Sequence, residues 1–179
     1  VLDPDPKVSG EGVQMLRNAG IEVVTDVAAD EVSEQLGPYL HHRLTGRPWV
    51  VLKLAATLDG RTAAPDGSSQ WITGEAARVD AHRLRSRCDA ILVGAGTVRA
   101  DDPSLTVRLV EGVDPQRIVL GSAADGAAVH PCWEVSGELS AVLEDLGARG
   151  VIDLMVEGGA TVAATFHRQG LVNEYVLYL

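Results

Sequence analysis

Aromatic side chains are nearly absent: three Trp, three Tyr and one Phe make up 4% of 179 residues. A core built without them has to be aliphatic. Abundant Ala and Val with 19 Gly suit close-packed α/β layers better than an all-β sandwich. Cysteine is equally scarce, with only Cys88 and Cys132. Two thiols make no disulfide framework, which points to a reducing cytoplasm and to small buried apolar side chains. Pro131-Cys132-Trp133 opens like a deaminase zinc motif but lacks the second Cys of a C-x-x-C, so no metal is expected. No apolar run reaches the ~18–20 residues of a membrane span. No basic region followed by an apolar core opens the chain, which starts at Val1 like a piece of a longer protein. Positive charge is also short: 15 Lys+Arg against 25 Asp+Glu gives −10. Such a surface repels nucleic-acid backbones, although a few placed Arg can still hold a phosphate locally.

What is present alternates between strand and helix signals. Residues 9–18 read as a short helix closed by Gly20, and 21–24 as a strand. A helix is expected over 30–39, bent or ended at Gly37-Pro38, with a polar linker over 44–48. Residues 49–57 form a strong strand, apolar on both faces. A loop over 58–70 leads to a helix over 74–86 that Thr73 can cap. Strands follow at 89–93, 105–109 and 117–120, with a short helical segment after Gly94-Ala95-Gly96. The stretch 121–136 is illegible. A helix over 138–146, a strand over 152–156, a helix over 161–169 and a strand over 174–179 complete the series. Strands that alternate with helices predict an α/β sheet covered on both faces.

Four features carry possible chemistry. Lys53 lies inside an apolar strand, on the same side as Ala55, Thr57 and Asp59. A buried ammonium needs an anion, a carboxylate or a ligand, unless the strand edge is open to water. Glu157-Gly158-Gly159 turns a strand into a helix, a geometry that can cradle phosphate or simply make a tight turn. Gly94-Ala95-Gly96-Thr97 starts like a dinucleotide fingerprint but has Arg99 where the last Gly belongs. Arg78, His82 and Arg85 share one helix face, either solvated or clamping a phosphate with Arg108. No nucleophile elbow or paired-carboxylate signature stands out.

Together these pieces resemble a known family. The run Lys53-Leu54-Ala55-Ala56-Thr57-Leu58-Asp59-Gly60-Arg61-Thr62 is similar to the opening of the reductase domain of bifunctional riboflavin deaminase-reductases of the RibD/RibG type. Ser69-Gln70-Trp71-Ile72-Thr73-Gly74, Asp89 to Gly94, Gly96-Thr97-Val98, Ala100 to Pro103 with Leu105 to Arg108, and Val156-Glu157-Gly158-Gly159 follow in family order. The resemblance implies a dihydrofolate reductase-like fold: a mixed, mainly parallel sheet with helices on both faces. It implies reduction of 5-amino-6-(5-phosphoribosylamino)uracil to its ribityl counterpart, with NADPH giving hydride to C1′ of the opened ribose.

The resemblance also assigns residues. Ser69, Arg85, Leu105, Arg108 and Glu157 would line the substrate, with Arg85 and Arg108 on its phosphate. Ala55, Trp71, Thr97, Asp101 and Ser122 would touch NADPH. Gly159, Ala160, Thr161, Val162, Ala163, Ala164 and Thr165 would cradle its phosphates. Lys53 and Asp101 are the candidates for polarising the sugar carbon or relaying a proton. Residues 1–45 look like the remnant of a zinc deaminase domain and its linker, and 46–179 the reductase domain, incomplete at its C-terminus. The H-x-E and P-C-x-x-C deaminase motifs are absent, so no deaminase activity is expected. The stretch 121–137 is shorter than in the family, which normally carries another strand there. A homodimer and a deaminase domain in the full-length parent are further implications. The competing readings are a non-catalytic nucleotide-binding or dimerisation module, and a reductase of a related pterin or flavin precursor.

Overall fold

The strand Trp49–Ala55 (β1) is apolar on both faces because it sits inside a six-stranded sheet. The computed structural model describes residues 1–62 and 72–179. The other strands are Ala90–Gly94 (β2), Gln116–Leu120 (β3), Trp133–Val135 (β4), Asp153–Val156 (β5) and Glu174–Tyr178 (β6). Their order is β4-β3-β2-β5-β1-β6, and all five pairings among the described residues are parallel. The expected α/β sheet is therefore present, and every pairing between its described strands is parallel.

Parallel neighbours need crossovers, and right-handed crossovers put the helix on a face set by the direction of travel. From β1 to β4 the chain moves one way, through Glu75–Arg87 (α4) and Ala95–Asp101 (α5). From β4 to β6 it moves back, through Leu139–Ala148 (α6) and Ala160–Arg168 (α7). Two cores result. Val50, Leu52, Leu92, Leu154 and Val156 pack with α6 and α7, including Leu143, Leu146 and Phe166. Ile91, Val93, Val119 and Met155 pack under α4 and α5, with Leu84, Cys88 and Val98. Phe166 is wholly buried; emptying such a site costs about 3–5 kcal/mol.

The reversal of direction has a functional consequence. β5 lies between β2 and β1, whose outgoing helices cover one face, while its own outgoing helix, α7, covers the other. Chains therefore diverge on both sides of β5 at its C-terminal end, which opens a crevice on each side.

The N-terminal segment departs most from expectation. Glu11–Asn18 (α1), Ala29–Gln35 (α2) and Gly37–Thr45 (α3) contain no buried residue. The strand expected over 21–24 does not form: no neighbouring strand pairs with it, and Ile21 and Val24 are 51% and 71% exposed. A strand without a ladder partner leaves its backbone groups to water. The helix expected over 30–39 is two helices broken at Leu36, with Pro38 in the first turn of α3, where its missing N–H costs nothing. α3 continues to Thr45 and closes on Gly46 at φ 72, so the linker shrinks to residues 46–48. Thr73 does not cap α4; Gly74 holds the N-cap position without a side-chain bond.

Candidate functional site

The first crevice opens between β1 and β5, under α4. Leu52 pairs with Val156, so Lys53 and Glu157 stand side by side one residue further along. Lys53 Nζ donates to Glu157 Oε1 at 2.8 Å, and Arg85 Nη2 from α4 donates to Oε2 at 2.6 Å. Arg85 Nη1 also donates to the Thr106 carbonyl at 2.7 Å. The three side chains are 15%, 19% and 8% exposed for Lys53, Glu157 and Arg85. Burial alone would raise the Glu157 carboxyl; the Lys53 and Arg85 cations outweigh it and hold it below the usual carboxylate range. A charged trio this enclosed is costly to break, because each partner removed strands another charge.

These groups wall a cleft of about 230 Å3 that also takes in Ala55, His82, Arg108 and Tyr178. Tyr178 reaches it because β6 pairs with β1 in the register Ala55–Tyr178. Its hydroxyl donates to Asp80 Oδ2 at 2.8 Å, and the Lys53 ammonium lies 5.8 Å from its ring centre. Burial, then the Asp80 carboxylate, push the Tyr178 phenol up. The helix face bearing His82 and Arg85 turns inward, each residue being 7% exposed, so it is not a solvated basic face.

The strand expected over 105–109 is instead a strap without regular structure. It meets no sheet edge, and side chains take up its backbone groups. Thr106 O accepts from Arg85, Val107 N–H donates to Asp114 Oδ1 at 2.7 Å, and Arg108 N–H donates to His82 Nδ1 at 3.0 Å. Leu105 plugs the second core at 4% exposure, with φ 55. Exposed Arg108 is held through Nη1 by the hydroxyls of Ser104 and Thr106.

The second crevice opens between β2 and β5, where two strand-to-helix turns meet. A Cβ on Gly94 would come within 2.8 Å of Val162 Cγ2, and one on Gly158 within 2.9 Å of Val162 Cβ. Glycine is required at both positions because the turns pack through Val162. Gly159 N–H donates to Thr97 Oγ1 at 3.2 Å. A cleft of about 550 Å3 follows, lined by Thr97, Gly159, Ala160, Thr161 and Val162. N–H groups at the start of α7, nine residues long, suit phosphate oxygens.

The expected residues thus divide. Lys53, Arg85, Arg108 and Glu157 meet in the first cleft, and Ala55 joins them there rather than in the second. Thr97 and Gly159 to Val162 meet in the second. Ala163 faces the core, and Ala164 and Thr165 lie further along α7, with the Thr165 hydroxyl turned to the Thr161 carbonyl. Asp101, the exposed last residue of α5, and exposed Ser122 line neither cleft. Ser69 and Trp71 lie outside the described residues. Tyr178, which only the β1–β6 register brings to Lys53, and its hydrogen-bond partner Asp80 escaped the sequence reading. Among the described residues, no group of three or more His, Cys, Asp or Glu could hold a metal, and no helix is long and apolar enough to cross a membrane.

Comparison with known proteins agrees with this geometry. The chain is 39% identical to the riboflavin biosynthesis protein RibD of Chlamydia trachomatis, over 99% of this chain and 58% of that protein. That alignment runs over 216 residues, more than the 179 here, so the relative carries insertions. Acinetobacter baumannii RibD superposes with a TM-score of 0.89 at 33% identity, covering 98% of this chain and 58% of that one. A Thermotoga maritima diaminohydroxyphosphoribosylaminopyrimidine deaminase/5-amino-6-(5-phosphoribosylamino)uracil reductase superposes at 0.81 and 35% identity, over 93% and 54% of the two chains. The chain therefore spans somewhat over half the length of these relatives. The model of the RibD C-terminal domain matches residues 48–179. With three quarters of its length matched and whole-chain similarity to RibD proteins, the chain belongs to the RibD C-terminal domain family.

Proposed function

We propose that this chain reduces 5-amino-6-(5-phosphoribosylamino)uracil to its ribitylamino counterpart, with NADPH as the reductant. The observation that carries the reading is the Lys53–Glu157–Arg85 cluster in one crevice beside β5, with a glycine-lined helix start in the other. A reductase of this kind needs two adjoining sites, and the two crevices flank a single strand. The second cleft fits a dinucleotide: Gly94 and Gly158 let the two turns close onto the Val162 side chain, and the first turn of α7 offers N–H groups to phosphates. When bound there, the cofactor supplies the hydride.

The protein's own residues supply orientation and charge. Arg108 stands exposed at the cleft wall and suits the substrate phosphate. Arg85, expected on the phosphate as well, spends both terminal nitrogens on Glu157 and Thr106. Its role in this reading is to orient Glu157. Glu157 stays ionised and accepts hydrogen bonds from ribose hydroxyls. Lys53, positioned by Glu157, is the donor that steadies negative charge on the ribose oxygen as the ring opens. Asp101 remains a candidate on the α5 side and Ser69 on the substrate, as the family resemblance gives them, whereas Leu105, sealed in the second core, and Ser122, in neither cleft, take no part in this reading. A cleft with this full set of paired charges speaks against a degraded, non-catalytic module. A homodimer, division into 1–45 and 46–179, and an accompanying deaminase domain belong to the same proposal.

The test is NADPH oxidation by the purified chain with the deaminated ribosylamino-pyrimidine phosphate. Turnover is expected, with collapse in Glu157→Ala. Turnover of a pterin but not of this substrate would replace the assignment.

A further inference from the structure

The strap over residues 104–108 is held in an unusual way. Three consecutive residues, Thr106, Val107 and Arg108, each give one backbone group to a side chain: Arg85, Asp114 and His82. Leu105 anchors the start of the strap in the core at φ 55. The strap therefore has no ladder to fall back on. If the Arg85 or the His82 bond is lost, a part-buried polar group beneath α4 loses its partner.

His82 differs from the other two holders. To accept the Arg108 N–H, its Nδ1 must be unprotonated, which places the ring proton on Nε2. A doubly protonated ring cannot accept at all. The charged groups facing it are Arg85 on its own helix, Arg108 on the strap, Lys53 on β1 and Glu157 after β5. Burial first, then the Arg85 and Arg108 cations, hold it below its ordinary value, with Glu157 opposing. The neutral ring that the bond requires is thus the form its surroundings favour.

We infer that His82 is a positioning residue: by accepting the Arg108 N–H it latches the strap to α4 and aims Arg108 at the phosphate of the substrate. This rests on the proposed reading of Arg108 as the phosphate ligand. His82 itself, neutral and nearly enclosed, makes no ion pair with that phosphate. It sets how well a phosphate ester is preferred over its uncharged counterpart.

The test combines two measurements on the full chain: amide hydrogen exchange across the strap, and calorimetric binding of ribose 5-phosphate with ribose as the uncharged probe. Three proteins are compared: wild type, His82→Ala and His82→Asn. The Asn amide oxygen falls near the position of Nδ1, accepts a hydrogen bond and does not titrate. His82→Ala is expected to speed exchange at the Arg108 amide and to weaken ribose 5-phosphate about tenfold, leaving ribose unchanged. His82→Asn should restore both. In wild type, preference for ribose 5-phosphate should fall only as pH drops through the lowered imidazole value, which lies below the ordinary value of about 6.5, and beyond the fall that His82→Asn shows from protonation of the phosphate itself. Unchanged exchange in His82→Ala, or His82→Asn behaving like His82→Ala, would overturn the latch. Faster exchange with unaltered ribose 5-phosphate affinity would instead overturn Arg108 as the phosphate ligand, while the turnover assay judges the reductase separately.

Discussion

Asp153 and Glu157 stand at opposite ends of β5, four residues apart and on the same face of the sheet, yet their environments drive them in opposite directions. Glu157 meets two cations in direct contact, and its carboxyl is held low despite burial. Asp153 lies beside Trp49, its partner in the strand register, with Leu84 close by in the same cavity. Burial pushes its carboxyl up to about 6, and Oδ1 has no hydrogen-bond partner among the described residues. The lesson concerns placement. α4 spans both ends, but Arg85 touches the carboxylate at the top, while at the bottom the burial of Asp153 is offset in part by the Cys88 thiol and only weakly by Arg87. Two residues, about half a helical turn, separate a charge in contact from a charge at a distance, and only the first outweighs desolvation.

The strongest way to break the comparison is Glu157→Ala. It leaves Lys53 and Arg85 without their shared anion, and is expected to cost about 3–5 kcal/mol of stability as well as at least a hundredfold in NADPH turnover, about 2.7 kcal/mol of barrier. Denaturant unfolding and steady-state kinetics read both; a variant of wild-type stability would mean that the trio is not energetically coupled.

Asp153→Asn should move the other way. A carboxyl raised in the fold stabilises below its unfolded value near 4 and loses that benefit as pH climbs through about 6. At pH 7 the native carboxylate therefore costs up to about 3 kcal/mol, nearer 2 once partial exposure screens it. The Asn variant should be more stable at pH 7 and lose its advantage by pH 4. Glu157 has the opposite sign: its contribution is present above its unfolded value and lost as pH falls through its lowered one. Urea midpoints against pH in the two variants should therefore diverge in slope.

The smallest effect belongs to Arg87→Ala. Removing the one distant cation should raise the Asp153 carboxyl slightly further, seen by NMR titration, with activity unchanged. A large shift would show that Arg87 acts as a contact partner after all.

Much of the fold was legible because hydrophobic periodicity is local. The strands around Val51, Leu92 and Met155 and the helices carrying Val142 and Phe166 stand close to where their patterns put them. Three places were not. The segment around Ile21–Val24 has strand composition but no ladder to join. The 105–109 strap has the same composition, but its backbone bonds go to His82, Arg85 and Asp114. β4 is only three residues long, and Ile118 to Leu120 of β3 supply the pairing that makes it a strand. In each case hydrogen-bond partners from distant sequence decide the outcome.

The candidate site divides along the same line. The sequence by itself determined that an ammonium lies in an apolar strand, that glycines close two strand-to-helix turns, and that a helix carries Arg78, His82 and Arg85 on one face. Each of these is a property of neighbours in the chain. Only the tertiary structure decided that Lys53 and Arg85 share Glu157, that Arg85 is spent inside the protein, and that Tyr178 walls the cleft. Those pairings depend on β5 inserting between β1 and β2, which brings together side chains 104 and 72 positions apart. No local pattern encodes strand order, because it follows from how crossover helices cover both faces of the finished sheet.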